Sequence, residues 1–273
     1  MLGPTRRVEC KAWRASGLAG GERTIPEETA VAFTYNGSSY AVMMATPRDL
    51  DDFALGFSLT EGIVKSPNEI ESLEIIEESI GVELRMRLTE PHATAFRERR
   101  RYLAGPTGCG LCGIESLSEA MRAPATITDD STVAPKDIIT ALDALYRRQA
   151  INQTTRAVHG AALYRRGEGL VAAREDVGRH NALDKLAGAL ARDGITGCGG
   201  LGLLTSRLSV ELVQKAAAIG IPVLVAVSAP TALAVRTADA CGITLVAVAR
   251  SDGFEIFTHP RRIREERIIH VLT

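Results

Sequence analysis

Apolar and polar positions divide this chain into two stretches of different character. Over residues 6 to about 90 the pattern predicts mixed short strands and one helix. Val31–Tyr35 and Ser38–Met44 flank Asn36-Gly37, a dipeptide that tolerates the positive φ of a tight hairpin turn. Pro47–Gly62 reads as a helix, with Thr46 as its cap, Pro47 in its first turn and Gly62 at its end. Ile70–Ile76 and Gly81–Leu88 predict two further strands.

From Val158 the pattern changes. Val158–Tyr164 and Gly169–Arg174 predict strands around an Arg165-Arg166-Gly167 turn. Arg179–Ala191 reads as a helix, Gly200–Thr205 as a strand, Val210–Ala218 as a helix and Pro222–Val227 as a strand. Thr231–Ala240 and Thr244–Ala249 repeat the helix–strand unit, and Phe254–Phe257 adds an edge strand. Two strands followed by helix–strand units predict helices packed on a largely parallel sheet. Runs such as Val223-Leu-Val-Ala226 suit strands buried on both faces. The expectation is an α/β protein: a small α+β domain over residues 1–105 and a larger α/β domain over 106–273. Residues 91–108, with Arg97, Arg99, Arg100 and Arg101, read as a linker or mobile loop. That basic run suits a solvated face or a phosphate-contacting arm.

Composition narrows the function classes. The chain has 273 residues, 45% apolar and 24% charged, with a net charge of −1. It is neither a disordered chain nor a polyelectrolyte binder of nucleic acid. No apolar run reaches membrane-spanning length and no secretory h-region follows Met1, so a cytoplasmic protein is expected. Five cysteines are too few and too odd in number for a disulfide framework.

The strongest chemical feature is Gly105-Pro-Thr-Gly-Cys109-Gly-Leu-Cys112-Gly. Two thiols three apart before a helix N-terminus lie in a positive field that favours thiolate. Such a pair suits a redox couple, half a zinc site or a persulfide carrier. Zinc needs about four ligands, and no second Cys-x-x-Cys or His pair supplies the rest. A thioredoxin-like motif would follow the first strand of a small βαβ unit, which this one does not.

Arg174-Glu-Asp-Val-Gly-Arg-His-Asn-Ala-Leu-Asp-Lys185 crowds ionisable groups at a strand-to-helix junction, where α/β sheets gather ligands. Glu175, Asp176 and Asn181 can read the edge of a base, and Arg179 or His180 can meet phosphate. Asp176 could equally cap the helix, and Asp184-Lys185 could be solvated. His159 opens an apolar strand and suits a core or a site. Ser206 and Arg207 occupy the next junction, a candidate anion site. Ser228, in Ser228-Ala-Pro-Thr231, occupies the one after, where capping is the alternative. Phe257-Thr258-His259-Pro260-Arg261-Arg262 follows the last strand as a solvated tail or a phosphate clamp.

Together these segments resemble the formate dehydrogenase accessory sulfurtransferase family, FdhD. The resemblance rests on the Gly108–Gly113 cysteine loop, Glu175–Lys185, Phe257–Pro260 and Phe53–Ile63, and spans residues 25 to about 262. It implies a carrier that takes persulfide sulfur from a cysteine desulfurase. The sulfur passes to the bis(molybdopterin guanine dinucleotide) molybdenum cofactor that formate dehydrogenase needs. It implies Cys109 as the persulfide cysteine, Cys112 as its partner, and Phe257 to Arg262 as cofactor contacts. The family often has Glu where this chain has Arg261. A cytidine-deaminase-like three-layer domain and a homodimer are likewise implied. The His-x-Glu and Pro-Cys-x-x-Cys zinc constellation of deaminases is absent, so deaminase chemistry does not follow. GDP-like fragments are expected to bind, with no permanent metal, nucleic acid or membrane. A cofactor-holding chaperone without sulfur chemistry and a dithiol oxidoreductase are the competing readings.

Overall fold

The computed structural model describes residues 3–91, 93–94 and 123–265. The chain forms two compact units. The first takes residues 1–123, 149–160 and 174–195, and the second the remainder. The expected boundary at 105/106 lies outside the described residues.

In the first unit, β1 (Thr5–Arg14) and β2 (Gly17–Pro26) form an antiparallel ribbon. A four-stranded sheet follows, ordered β4-β3-β6-β5. Its strands are β3 (Thr29–Tyr35), β4 (Ser38–Ala45), β5 (Ile70–Glu78) and β6 (Gly81–Leu88). Asn36 and Gly37 have φ of 50° and 76°, so the predicted hairpin turn is present. In β6, Val82, Leu84, Met86 and Leu88 are buried, and Arg85 and Arg87 between them are exposed. That period of two places one sheet face on the core.

Helix α1 (Leu50–Thr60) crosses from β4 towards β5 and packs Phe53 and Phe57 against Phe33, with centroids 4.9 and 4.2 Å away. Its C-terminus is a Schellman motif. Gly62 has φ 67°, its N–H donates to Leu59 O, and Ile63 N–H donates to Ser58 O. The start differs from expectation. The helix begins at Leu50 after Asp49, which has φ 52° and gives no side-chain cap. Thr46 caps nothing, because its amide and hydroxyl bind residues 130 and 131 positions away.

Two short helices precede the larger sheet: α2 (Pro135–Arg148), in the second unit, and α3 (Ala150–Thr155), in the first. The first unit also holds α4 (Arg179–Arg192), which packs along α1. The crossing is close. A Cβ on Gly56 would lie 1.7 Å from Asp184 O, and one on Gly188 would lie 1.9 Å from Asp52 O.

The second sheet has the order β12-β11-β10-β9-β7-β8. Its strands are β7 (His159–Arg165), β8 (Gly169–Asp176), β9 (Leu201–Leu204), β10 (Val223–Ala226), β11 (Thr244–Arg250) and β12 (Gly253–Ile256). Strands β9, β10 and β11 are parallel, and β7 and β12 run against them. Helices α5 (Val210–Ala218) and α6 (Ala232–Cys241) make the crossovers. On α2, Ile138, Ala141 and Leu145 pack with Leu203, Val225 and Val246 in one core. The strands and helices expected from Val158 onward lie within about two residues of their predicted ends. The β1–β2 ribbon, α2 and α3 were not expected.

Candidate functional site

In the first unit the β8-to-α4 junction is built around Asp176, whose side chain is fully buried. Its Oδ1 accepts from Gly178 N (2.7 Å) and Asn181 Nδ2 (2.9 Å). Its Oδ2 accepts from Thr46 N (3.0 Å) and Lys185 Nζ (2.6 Å). Four donors fill the carboxylate's acceptor positions. Lys185 is also fully buried; it donates to Thr46 O and stands 5.5 Å from the Phe53 ring centroid. The alternative in which Asp184 and Lys185 are solvated is therefore excluded. Asp184 is buried too, accepting from Thr60 Oγ1 at 2.6 Å.

Glu175 is buried and accepts from Ile151 N (2.9 Å) and Asn152 N (2.8 Å), which caps the start of α3. Burial raises its pKa and the two amides oppose that rise. Asn181 also donates to Met44 O at 2.9 Å. Arg174 binds Asp52 at 2.7 Å. The acidic and amide groups of the motif are thus engaged within the fold, and they fix the junction.

His159, Arg179 and His180 keep part of their surface. Arg179 is the first residue of α4, after an uncapped Gly178, and its Nε is buried with no hydrogen-bond partner among the described residues. Burial lowers the His159 pKa, the Arg179 charge lowers it further, and Asp176 opposes both. The first two effects favour the neutral imidazole.

In the second unit, the loops after β9 and β10 are tied together. Leu208 N donates to Ala229 O (3.3 Å), and Thr231 N donates to Leu208 O (2.9 Å). Thr231 caps α6 by accepting from Ala234 N. Ser206 is buried and donates to Arg207 O, whereas the Arg207 and Ser228 side chains are exposed.

The tail is pinned at two residues. Buried Thr258 donates to Ile243 O (2.7 Å) and accepts from Leu245 N (2.8 Å). Buried Arg262 donates to Asp129 O (2.7 Å), Gly242 O (2.8 Å) and Thr244 Oγ1 (3.1 Å). Between them His259 has φ 43° and donates from Nε2 to Asp239 O at 2.9 Å. Phe257, Pro260 and Arg261 face outward.

Cys109 and Cys112 lie outside the described residues. Among the described residues, no three His, Cys, Asp or Glu side chains cluster as metal ligands, and no helix is long and apolar enough to cross a membrane. The sequence reading missed Thr46 and Lys185 as the holders of Asp176. Thr46 is 130 residues from Asp176 and gave no local signal, whereas Lys185 stands only nine residues from it in the same motif.

These features define a mixed α/β protein with charged junctions at the ends of its strands. A solved structure from Desulfotalea psychrophila, assigned as a formate dehydrogenase accessory protein, has the same fold. Its TM-score is 0.76 at 25% identity, over 95% of this chain and 99% of that one. A curated relative from Agrobacterium fabrum, named sulfur carrier protein FdhD, is 56% identical over 94% of this chain and 96% of its own. Relatives of the same name from Brucella abortus and Cupriavidus necator are 51% and 48% identical. They cover 96% and 93% of this chain, and 97% and 88% of their own length. The FdhD/NarQ family pattern matches residues 26–264. The chain belongs to the FdhD/NarQ family, as the motifs implied.

Proposed function

We propose that this chain is a sulfur carrier for formate dehydrogenase maturation. The observation that carries the reading is the 56% identity, over nearly the whole chain, with a protein named sulfur carrier protein FdhD. The Cys109-x-x-Cys112 pair supplies the matching chemistry. The Cys109 thiolate attacks the outer sulfur of a cysteine desulfurase persulfide. A new S–S bond forms on Cys109 and the desulfurase cysteine leaves as thiolate. Attack of Cys112 on the Cys109 Sγ then expels hydrosulfide. The two electrons come from the dithiol, which ends as a disulfide and needs a thiol reductant before the next cycle.

The acceptor, and so the substrate of the transfer, is the bis(molybdopterin guanine dinucleotide) molybdenum cofactor. Its phosphate and guanine groups need cationic and polar partners. His159, Arg179 and His180 offer these in the first unit. Arg207, Ser228, Phe257, His259, Pro260 and Arg261 offer them in the second. Glu175, Asp176, Asn181, Ser206, Thr258 and Arg262 hold these groups in place. Formate dehydrogenase is the client, the carrier acts as a cytoplasmic homodimer, and residues 106–273 take a cytidine-deaminase-like layering.

The test is the intact mass of the protein after incubation with a cysteine desulfurase and cysteine. A gain of one sulfur, lost on reduction and absent in Cys109→Ala, is expected. No gain while the desulfurase turns over would leave a cofactor-holding chaperone. A reversible disulfide without any persulfide would mark a dithiol oxidoreductase.

A further inference from the structure

β11 contains a residue in an unfavourable backbone state. Val248 has φ 51°, where the pairing of β11 with β12 shifts register between Ala247 and Arg250. The left-handed region suits Gly or Asn, and a β-branched residue there is an outlier. Such strain persists only where the surroundings impose it, and it clusters at ligand-binding positions.

The location is informative. β10 and β11 are parallel, with Val225 opposite Val246, so Val248 lies near their carboxyl ends. Ligands bind at that edge in α/β sheets. The Val248 N–H donates to Ser228 O at 3.3 Å. Ala247 and Ala249 on either side are buried, while Val248 keeps part of its surface and Ser228 is exposed. The Ser228–Thr231 loop is in turn bonded to Leu208, next to exposed Arg207. A branched apolar side chain, a hydroxyl and a guanidinium thus belong to one hydrogen-bonded run of backbone.

Glycine or asparagine at 248 would relieve the strain and keep the N–H to Ser228. The backbone turn therefore does not require valine, and what valine adds is its side chain. We infer that Val248 is a specificity-determining contact that packs against the flat face of a guanine ring, with Ser228 at the ring's polar edge and Arg207 towards the phosphates. The inference rests on the proposed cofactor reading and adds to it the residue that recognises the base.

The probes are GDP and pyrophosphate, titrated calorimetrically against the full chain and its Val248→Asn, Val248→Gly and Val248→Ile variants. Val248→Asn and Val248→Gly are expected to bind GDP roughly tenfold more weakly, the loss of one buried branched side chain. Pyrophosphate affinity stays at the wild-type value, because the phosphate contacts are untouched. Val248→Ile restores GDP binding. Unchanged GDP affinity in Val248→Asn overturns the inference and leaves the cofactor reading standing. Equal weakening of GDP and pyrophosphate also overturns it, since that outcome reports a disturbed loop. A wild-type chain that binds no GDP removes both the inference and the nucleotide part of the cofactor reading.

Discussion

Lys185 Nζ lies 2.6 Å from Asp176 Oδ2, and neither side chain has any solvent exposure. One residue ends β8 and the other sits in the second turn of α4, so this bond fixes the angle at which the helix leaves the strand. Breaking a buried pair leaves an uncompensated charge, at a cost of about 3–5 kcal/mol. Asp176→Ala is therefore expected to unfold at much lower denaturant concentration than wild type. Replacing both partners, as Asp176→Asn with Lys185→Met, is expected to recover most of that loss. Urea unfolding of the single and double variants measures it. A single variant as stable as wild type would contradict the arrangement.

The α1–α4 crossing gives a second stability prediction. Gly56 and Gly188 each face backbone atoms of the opposite helix at distances no Cβ tolerates. The neighbours are carbonyl groups rather than flexible side chains, so the helices must separate. Gly56→Ala and Gly188→Ala are each expected to cost about 1–3 kcal/mol or more. Gly167→Ala, where nothing approaches within 4 Å but φ is 85°, pays only backbone strain of about 1 kcal/mol. Thermal unfolding of the three variants ranks them.

Much of this fold was legible because local chemistry and tertiary structure agree. Asn36-Gly37 carries its turn in two residues, and the apolar runs of β9, β10 and β11 are buried over most of their length. The β1–β2 ribbon gave no such signal. It is exposed along most of both strands, with Trp13 and Leu18 among its solvent-facing residues; β1 alternates only over Val8–Ala12 and the glycine-rich β2 not at all. Helix α2 does carry a readable stripe in Ile138, Ala141 and Leu145. Thr46 misled for a physical reason. A threonine before Pro47 is a plausible cap, and only the arrival of Asp176 from 130 residues away gives its amide another partner. In the candidate segments, the sequence marked the polar and charged groups but could not separate buried fasteners from outward groups. That separation depends on which side chains are buried.

Arg261 and Arg262 illustrate that separation. Arg262 satisfies the carbonyls of Asp129 and Gly242 from inside the fold. Arg262→Ala removes the donor from both part-buried carbonyls and from the buried Thr244 hydroxyl, at about 1–3 kcal/mol. Exposed Arg261, 3.5 Å from exposed Asp130, contributes within about 0.5 kcal/mol. Arg261→Ala is therefore expected to keep the wild-type melting temperature and to weaken GDP binding. Arg262→Ala lowers both. Equal melting temperatures for the two would refute the assignment.

His159 gives the pH dependence. Burial and the Arg179 charge hold its pKa below the ordinary 6.5 in the folded chain. Between the folded value and 6.5 the unfolded chain binds more protons, so stability rises with pH across that window. It is fully present above 6.5 and is lost as pH falls through the folded value. His159→Gln, which cannot protonate, is expected to flatten the part of the stability profile that wild type shows below pH 6.5. Parallel profiles for the two proteins between about pH 5 and 7 would show that His159 is not protonation-linked to folding.

The cysteine pair separates transfer from loading. In the proposed scheme Cys109 forms the persulfide and Cys112 is needed only to expel hydrosulfide. Cys112→Ser should therefore accept sulfur from a desulfurase as wild type does, giving the same mass gain. It should then release little hydrosulfide, because no second thiol can form the disulfide. Cys109→Ser should show neither loading nor release. The proposed nucleotide contacts are other residues, so both variants should bind GDP with wild-type affinity. Mass spectrometry for loading, a sulfide assay for release and calorimetry for GDP give three independent readouts. If Cys112→Ser loads poorly and Cys109→Ser loads normally, the two roles are exchanged. If both load normally, the double variant decides: loss of loading means that either thiol accepts the sulfur, and normal loading makes Cys10, Cys198 and Cys241 the candidates.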